Sequence, residues 1–325
     1  MRALVTGASG FIGIRLVERL LKNGSEVTCL VRRHDKIPDL KAIGVQQCIV
    51  ADITNRDQMM KAFHDIDAYV LFHLAALNPL IRDRRMQYDV NIRGMRNLID
   101  AMATMKGLGR VVYAQGMGVF GDTHGSIVDE DSPYRPETWF TRLRSEAEKM
   151  LWDASKDDGF SVSIAILGDV YGNGGWFNSI LVKGLIKKKS RLGFMIPGSG
   201  DYYRCFTHVD DAVEALALMA EVDRAGGERF IVCDDEPCKF RDFVYYTADT
   251  LGVKRPSSVP LWLARLLLGS DMIGTLTASV RASNMKAKSM LNLKLRYPDY
   301  RIGVRSVINE IKIMQQRKMM SGEEE

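Results

Sequence analysis

Thr6-Gly7-Ala8-Ser9-Gly10-Phe11-Ile12-Gly13 is the stretch that decides how this chain is read. It follows a short apolar run, Ala3 to Thr6, and opens the segment Phe11 to Lys22. There Ile12, Leu16 and Leu20 recur every four residues beside Val17 and Leu21, the spacing of one apolar helix face. Gly7 permits a tight turn, Gly10 lets backbone approach a pyrophosphate, and Gly13 lets the helix pack on the strand. Ser9, Phe11 and Ile12 complete a turn whose helix N-terminus offers N–H groups and a partial positive charge to that anion. Three spaced glycines alone are a weak signal. Between a strand and an amphipathic helix they are the context that dinucleotide binding requires.

Outward from the turn, short apolar runs alternate with helical periodicity, the pattern of βαβ units on a parallel sheet. Strands are expected at Glu26–Val31, Gln47–Val50, Ala68–Leu74, Arg110–Ala114, Val162–Leu167 and Glu228–Val232, the last returning to the sheet. Helices are expected at Arg56–His64, Met86–Met105, Thr138–Ala154 and Asp210–Ala220. The fold class is α/β, a Rossmann-type doubly wound parallel sheet.

Composition sets wider bounds. At 325 residues the chain exceeds a single small core, and 46% hydrophobic with 26% charged residues excludes a disordered or collagenous chain. Forty-five basic against 40 acidic side chains leave +5, which permits an anionic ligand without demanding one. The cysteines (Cys29, Cys48, Cys205, Cys233, Cys238) are odd in number with no C-x-x-C pair, which argues for a reducing compartment and against a zinc site. No leader pattern and no run of about 18 apolar residues is present, so no transmembrane segment and a cytoplasmic location are expected. Leu261 to Leu268 (LWLARLLL) reads as an amphipathic packing helix, with membrane-surface contact as the lesser alternative. Lys187–Lys189 reads as a solvated helix end and Glu323–Glu325 as part of a disordered tail over 316–325.

About 20 residues past Gly13, an NAD site places an Asp or Glu on the ribose 2′-hydroxyl. Here the second strand ends in Val31-Arg32-Arg33-His34, with no carboxylate at that point and two guanidiniums suited to a 2′-phosphate. The cofactor expected is NADP (NADPH) rather than NAD. Asp52, after the third strand, is placed to accept from an adenine amine.

These residues resemble the extended short-chain dehydrogenase/reductase superfamily, in its NAD(P)-dependent epimerase/dehydratase group. Besides the glycine turn, His73-Leu74-Ala75-Ala76, Val90-Asn91-Ile92-Arg93-Gly94, Gly168-Asp169-Val170-Tyr171-Gly172 and Phe206-Thr207-His208-Val209-Asp210-Asp211 are similar to family blocks. The resemblance implies a dinucleotide domain over 1–169, joined again by 205–235. It also implies a smaller, mostly C-terminal substrate lobe from 170–204 and 236–315. It adds Ile53, Leu74, Ala75, Ala76, Asn91, Arg144 and Val170 to the cofactor site, gives Arg204 to the substrate, and makes His73 and His208 structural. A homodimer through the 86–105 region and the following catalytic-position helix is implied too.

The family's chemistry uses a Ser or Thr at the end of the fifth strand and Tyr-x-x-x-Lys on the next helix. That spacing stacks Tyr and Lys one turn apart, so the ammonium lowers the phenol's pKa. By the same resemblance those three positions hold Gly116, Phe140 and Arg144. Phe has no transferable proton, Arg stays charged and cannot be a base, and Gly has no hydroxyl. Candidate substitutes are Gln115, Asp169, Tyr171 and Tyr202, with His124 and Tyr134 behind them. Asp169 stands where relatives carry Asn, which disfavours a sugar diphosphate.

The function expected is an NADP(H)-binding oxidoreductase or epimerase/dehydratase-type enzyme with a nonstandard active site, acting on a small molecule for which a phosphorylated or nucleotide-linked form is one option. The alternative is a catalytically silent NADP-sensing regulatory or assembly protein. RNA binding through Lys183, Lys187–Lys189 and Arg191 is disfavoured, since no stacking aromatics are interleaved there. No metal is expected.

Overall fold

In the computed structural model, which describes residues 1–77, 80–157, 159–186 and 193–321, strand β1 (Arg2–Thr6) lies inside a parallel sheet of seven. The others are β2 (Glu26–Val31), β3 (Gln47–Val50), β4 (Val70–His73), β5 (Arg110–Gly116), β6 (Ser161–Leu167) and β7 (Glu228–Val232). Their order is β7-β6-β5-β4-β1-β2-β3, so the chain reverses direction across the sheet between β1 and β4. Such a switch point opens a crevice at the carboxyl ends of the strands, where doubly wound folds bind ligands.

Helices cover both faces, which is why the strands read as apolar runs rather than alternating ones. Leu4, Leu71, Val111 and Val162 point to one core, shared with α2 (Arg56–Phe63), α3 (Gly94–Met102) and α4 (Trp139–Ser155). Ala3, Val5, Phe72 and Val112 point to the other, shared with α1 (Phe11–Lys22) and α5 (Val209–Glu221). Leu16, Val17 and Leu20 of α1 are wholly buried there, each stabilising the fold by roughly 1.5–3 kcal/mol. Arg19 then locks α1 to α5 through Glu214, with bonds of 2.7 and 2.9 Å.

The helix expected over Met86–Met105 is three pieces: Arg84–Tyr88, a wide turn at Asp89–Arg93, and α3. The side-chain amide of Asn91 donates to the Gln87 carbonyl at 2.8 Å, taking the oxygen that an α-helical N–H would use. Thr138 caps α4 by accepting from the Thr141 N–H at 3.3 Å.

The C-terminal lobe is built on α6 (Phe240–Leu251) and α9 (Tyr300–Ser321), around Tyr171, Phe177, Phe206, Phe243 and Val304. Phe206 stacks on Phe243 with ring centroids 3.8 Å apart. Helix α9 continues to Ser321, so residues 316–321 are helical where a disordered tail was expected. Lys187–Lys189, Arg191 and Glu323–Glu325 lie outside the described residues.

One packing expectation fails. In α7 (Leu261–Leu268) only Ala264 is buried, while Leu261, Trp262, Leu266, Leu267 and Leu268 are exposed. Ala264 and Leu263 face the patch of Val259 and Ile273 beneath, and nothing among the described residues covers the other side of the helix. Helix α8 (Ser270–Thr277) follows directly. No helix among the described residues is long and apolar enough to cross a membrane, and the five cysteines are unpaired.

Candidate active site

The glycine turn sits at the switch point, and its three glycines have separate steric reasons. Gly7 adopts φ +70°, and a Cβ there would lie 2.8 Å from the backbone of Leu74 and Ala75. A Cβ on Gly13 would lie 2.1 Å from the Gly7 carbonyl oxygen, whereas Gly10 has 3.1 Å of clearance from that oxygen. Gly10 caps α1 without any side-chain bond, leaving the N–H groups of Phe11, Ile12 and Gly13 aimed at the crevice. Ser9 is half-buried beside them. The Phe11 ring is held by the loop after Val170: Cβ atoms on Gly174 and Gly175 would approach it to 2.9 and 2.7 Å. This is a cradle built from backbone that could hold an anion such as a pyrophosphate.

At the end of β2, Arg32 is exposed and has no ion-pair partner among the described residues. Arg33 is not free. It binds Asp35 through both Nε and Nη2, at 3.1 and 3.0 Å. The expectation of no carboxylate at this point is therefore corrected: Asp35 lies two residues on, and the 3-10 turn of residues 34–36 brings it back to Arg33. Asp52 accepts from the backbone N–H and hydroxyl of Thr54 with one oxygen, and Ile53 is fixed by the Asn97 amide on its carbonyl at 2.9 Å.

Across the crevice, Thr6 Oγ1 bonds His73 Nδ1 at 2.7 Å and accepts from the Ala75 N–H at 3.3 Å, which holds Leu74 and Ala75 against Gly7. Ala76 follows and is exposed. His73 is buried and stacks on Tyr113; burial, with the Arg144 charge, pushes its pKa down to about 3. It is a neutral packing residue. His208 caps α5 at Asp210 and stacks against Tyr297, also in a structural place. Asn91 keeps its Oδ1 buried without a partner.

Gly116 ends β5 at φ −108°, and a Cβ there would meet nothing within 4 Å. Phe140, in the first turn of α4, lines a cleft of about 260 Å³ with Ile81, Gln87, Leu268, Met272 and Thr275. Thr138 bonds Thr275, one of the cleft-lining residues, at 3.1 Å, which ties the start of α4 to α8. Arg144 points inward, with its guanidinium 4.6 Å over the Tyr113 ring and an Nη2–H donated to the Ala114 carbonyl.

Among the proposed substitutes, Gln115 donates to the Arg144 carbonyl and to Glu148, both at 3.0 Å, and accepts from the Gly116 N–H. Asp169 holds Arg204 through two 2.6 Å bonds. The remaining Nη1 of Arg204 donates to Thr275, Leu276 and Ala278 carbonyls, so the arginine binds the chain around α8. Val170 gives its carbonyl to Trp176. Tyr171 is wholly buried in the lobe core. Tyr202 stacks on Phe240 with its hydroxyl unpartnered, and Tyr134 donates to Glu148. His124 is exposed in a loop beside Asp122.

Burial raises the pKa of Tyr113 (to about 12), Tyr134, Tyr171 and Tyr202. That is opposite to what an adjacent ammonium does for a catalytic phenol. None of these tyrosines is prepared to exchange a proton near neutral pH.

A residue that the sequence did not single out organises this region. Glu148 is 1% exposed and accepts from Gln115, Tyr134, Trp152 and Arg229, the last at 2.7 Å. It joins β5, α4, β7 and the loop after residue 130. Its spacing four past Arg144 is the one trace of it in the sequence. No cluster of three or more metal-ligating side chains occurs among the described residues.

Comparison with known proteins fits this geometry. The model of the NAD dependent epimerase/dehydratase family matches residues 3–233. A Streptomyces 3-diazoavenalumate denitrifying reductase is 30% identical over 314 residues, 94% of this chain and 99% of that protein. An Arabidopsis thaliana 3beta-hydroxysteroid-dehydrogenase/decarboxylase, isoform 1, is 29% identical over 279 residues, 78% of this chain and only 62% of the longer relative. The solved structure of MoeE5 in complex with UDP-glucuronic acid and NAD superposes with a TM-score of 0.81 at 27% identity, covering 97% of this chain and 100% of that one.

Proposed function

Because the chain belongs to the NAD-dependent epimerase/dehydratase family, we propose that it is an NADP(H)-dependent reductase that works without a tyrosine proton donor. A nicotinamide dinucleotide, when bound, supplies the hydride. Gly7, Gly10 and Gly13 with the N–H groups of α1 would hold its pyrophosphate, and Arg32 would take the 2′-phosphate. The preference for NADP rests on Arg32, since Arg33 is held by Asp35.

The observation that carries the reading is Phe140 in the cleft wall, joined by the lack of any side chain at Gly116, where a Cβ would meet nothing. Neither can donate to a substrate oxygen, and the half-buried phenols of Tyr134 and Tyr202 have pKa values raised by desolvation. Such a site suits a substrate that carries its own activation: a conjugated acceptor, or a group that departs with its electron pair. It suits simple ketones poorly, since positioned acid–base help is worth about 10²–10⁴ in rate. Asp169 and Arg204 neutralise each other, so Arg204 is not free to bind a sugar diphosphate. By resemblance to the family, the active unit is a homodimer formed through the 86–105 region and α4.

The test is NADPH oxidation across matched ketone and enone panels, with Asp169→Asn and Tyr202→Phe beside the parent. Turnover confined to the activated substrates, and kept by Tyr202→Phe, supports the proposal. Tight NADPH binding with no turnover anywhere replaces it with the silent, cofactor-sensing reading.

A further inference from the structure

Helix α7 carries the most exposed apolar surface among the described residues. Trp262 is 68% and Leu266 73% exposed, four residues apart on one face, with Leu267 at 54% and Leu261 and Leu268 also open. Single exposed apolar residues need no explanation, but five among eight consecutive residues do. The helix ends at the cleft: Leu268, Gly269, Ser270, Asp271, Met272 and Thr275 line it opposite Phe140.

The charges beside this face are one-sided. Arg82 donates to the Leu267 carbonyl at 3.2 Å, which places its guanidinium beside the helix end. Arg265 projects from the helix itself, and neither arginine has a carboxylate partner among the described residues. Asp271 is neutralised by Arg84 at 2.5 Å, and Asp83 is turned to cap its own short helix at Met86. A tryptophan and leucines flanked by unpaired arginines are the elements of a helix that lies in a bilayer interface, with rings at headgroup depth and cations on lipid phosphates.

We propose that α7 docks this protein onto an anionic lipid surface with the mouth of the Phe140 cleft turned toward the lipid. The arginines select the occupant. A second copy of this chain would bring the same positive charge to the interface, whereas an anionic bilayer neutralises it.

The experiment is co-sedimentation of the full chain with vesicles of phosphatidylcholine alone or mixed with phosphatidylserine, which requires no turnover and so stands apart from the reductase test. Binding is expected with the mixed vesicles, and it weakens as salt is raised. Trp262→Ser with Leu266→Glu should reduce it at least about tenfold. Arg82→Gln and Arg265→Gln should each reduce it about fivefold on the mixed vesicles. Circular dichroism melts confirm that the variants are folded. Should Trp262→Ser with Leu266→Glu fail to fold, quenching of tryptophan emission by dibrominated lipid is compared between the parent and Trp262→Phe, where the loss of most quenching is expected. Three results overturn the proposal: no binding to mixed vesicles, binding or quenching indifferent to these substitutions, or vesicle-independent self-association abolished by the Trp262/Leu266 variant.

Discussion

Replacing Gly13 with alanine isolates what the glycine turn does. The added Cβ would lie 2.1 Å from the Gly7 carbonyl oxygen and 2.9 Å from Ala8 Cα. Carbon and oxygen settle at about 3.3 Å or more, so the turn and the start of α1 must separate by about 1.2 Å. The helix cannot swing away as a body, because Arg19 is pinned to Glu214 on α5 and Leu16, Val17 and Leu20 are buried. The strain falls on the first turn of α1, at an overpacking cost of about 2–3 kcal/mol, and a melting temperature lower by roughly 4–8 °C. The same displacement misaims the N–H groups of Phe11–Gly13. Losing one bond to an anion costs about 1.5–3 kcal/mol, so NADPH affinity should fall about 10- to 100-fold. Differential scanning fluorimetry and calorimetric titration read the two effects. Gly116→Ala is the control, since its Cβ meets nothing and its φ is ordinary; it should melt within about 1 °C of the parent. A Gly13→Ala protein that melts and binds NADPH like the parent refutes the steric argument.

Freeing Arg33 by Asp35→Ala should raise the ratio of NADPH to NADH affinity, and Arg32→Ala should lower it about tenfold, both by titration; unchanged ratios mean that the 2′-phosphate lies elsewhere. Gly116→Ser with Phe140→Tyr should bring ketone reduction up by about 10² in an NADPH oxidation assay, and no gain with the cofactor bound counts against the proposed correspondence. Glu148→Ala should destabilise the fold by about 2–3 kcal/mol in denaturant titration, because it strands the buried Gln115 together with the half-buried Tyr134 and half-exposed Arg229; a loss under about 1 kcal/mol contradicts the hub. Burial holds the folded pKa of His73 near 3, below the unfolded value, so His73 takes stability away as the pH falls through its unfolded pKa of about 6.5 toward 3. His73→Phe should therefore gain about 1.4 kcal/mol on the parent for each pH unit between 6 and 4. A difference independent of pH refutes a neutral His73.

The sheet was legible because its strands are buried on both faces and bounded by turn residues. Glu26–Val31, Gln47–Val50 and Glu228–Val232 fall where the apolar runs predict, and Phe11–Lys22 where the four-residue repeat does. The glycine turn was legible for a related reason, since each glycine answers a local steric demand that only its position sets. Long-range partnerships were not legible. Glu148 matters because residues 115, 134 and 229 converge on it, and no spacing rule connects them. Asp35 is near in sequence, yet only the turn of residues 34–36 shows that it closes on Arg33. In α7 the periodicity predicts a helix but carries no information about what covers it, and there the expectation of a packed face failed.

Gly116 and Arg144 differ in how deeply each is woven into the fold. The strand end is indifferent to what stands at 116, so a hydroxyl could be gained or lost there by a single change that the fold would hardly register. Arg144 is part of the masonry: it roofs the buried Tyr113 ring and ties α4 to the Ala114 carbonyl of β5. A lysine in its place would have to leave that bond and that ring to reach the crevice. On the proposed correspondence, a conventional active site is therefore open to restoration at the strand and closed at the helix. New chemistry in this scaffold is more accessible by building outward from Gly116 than by exchanging Arg144.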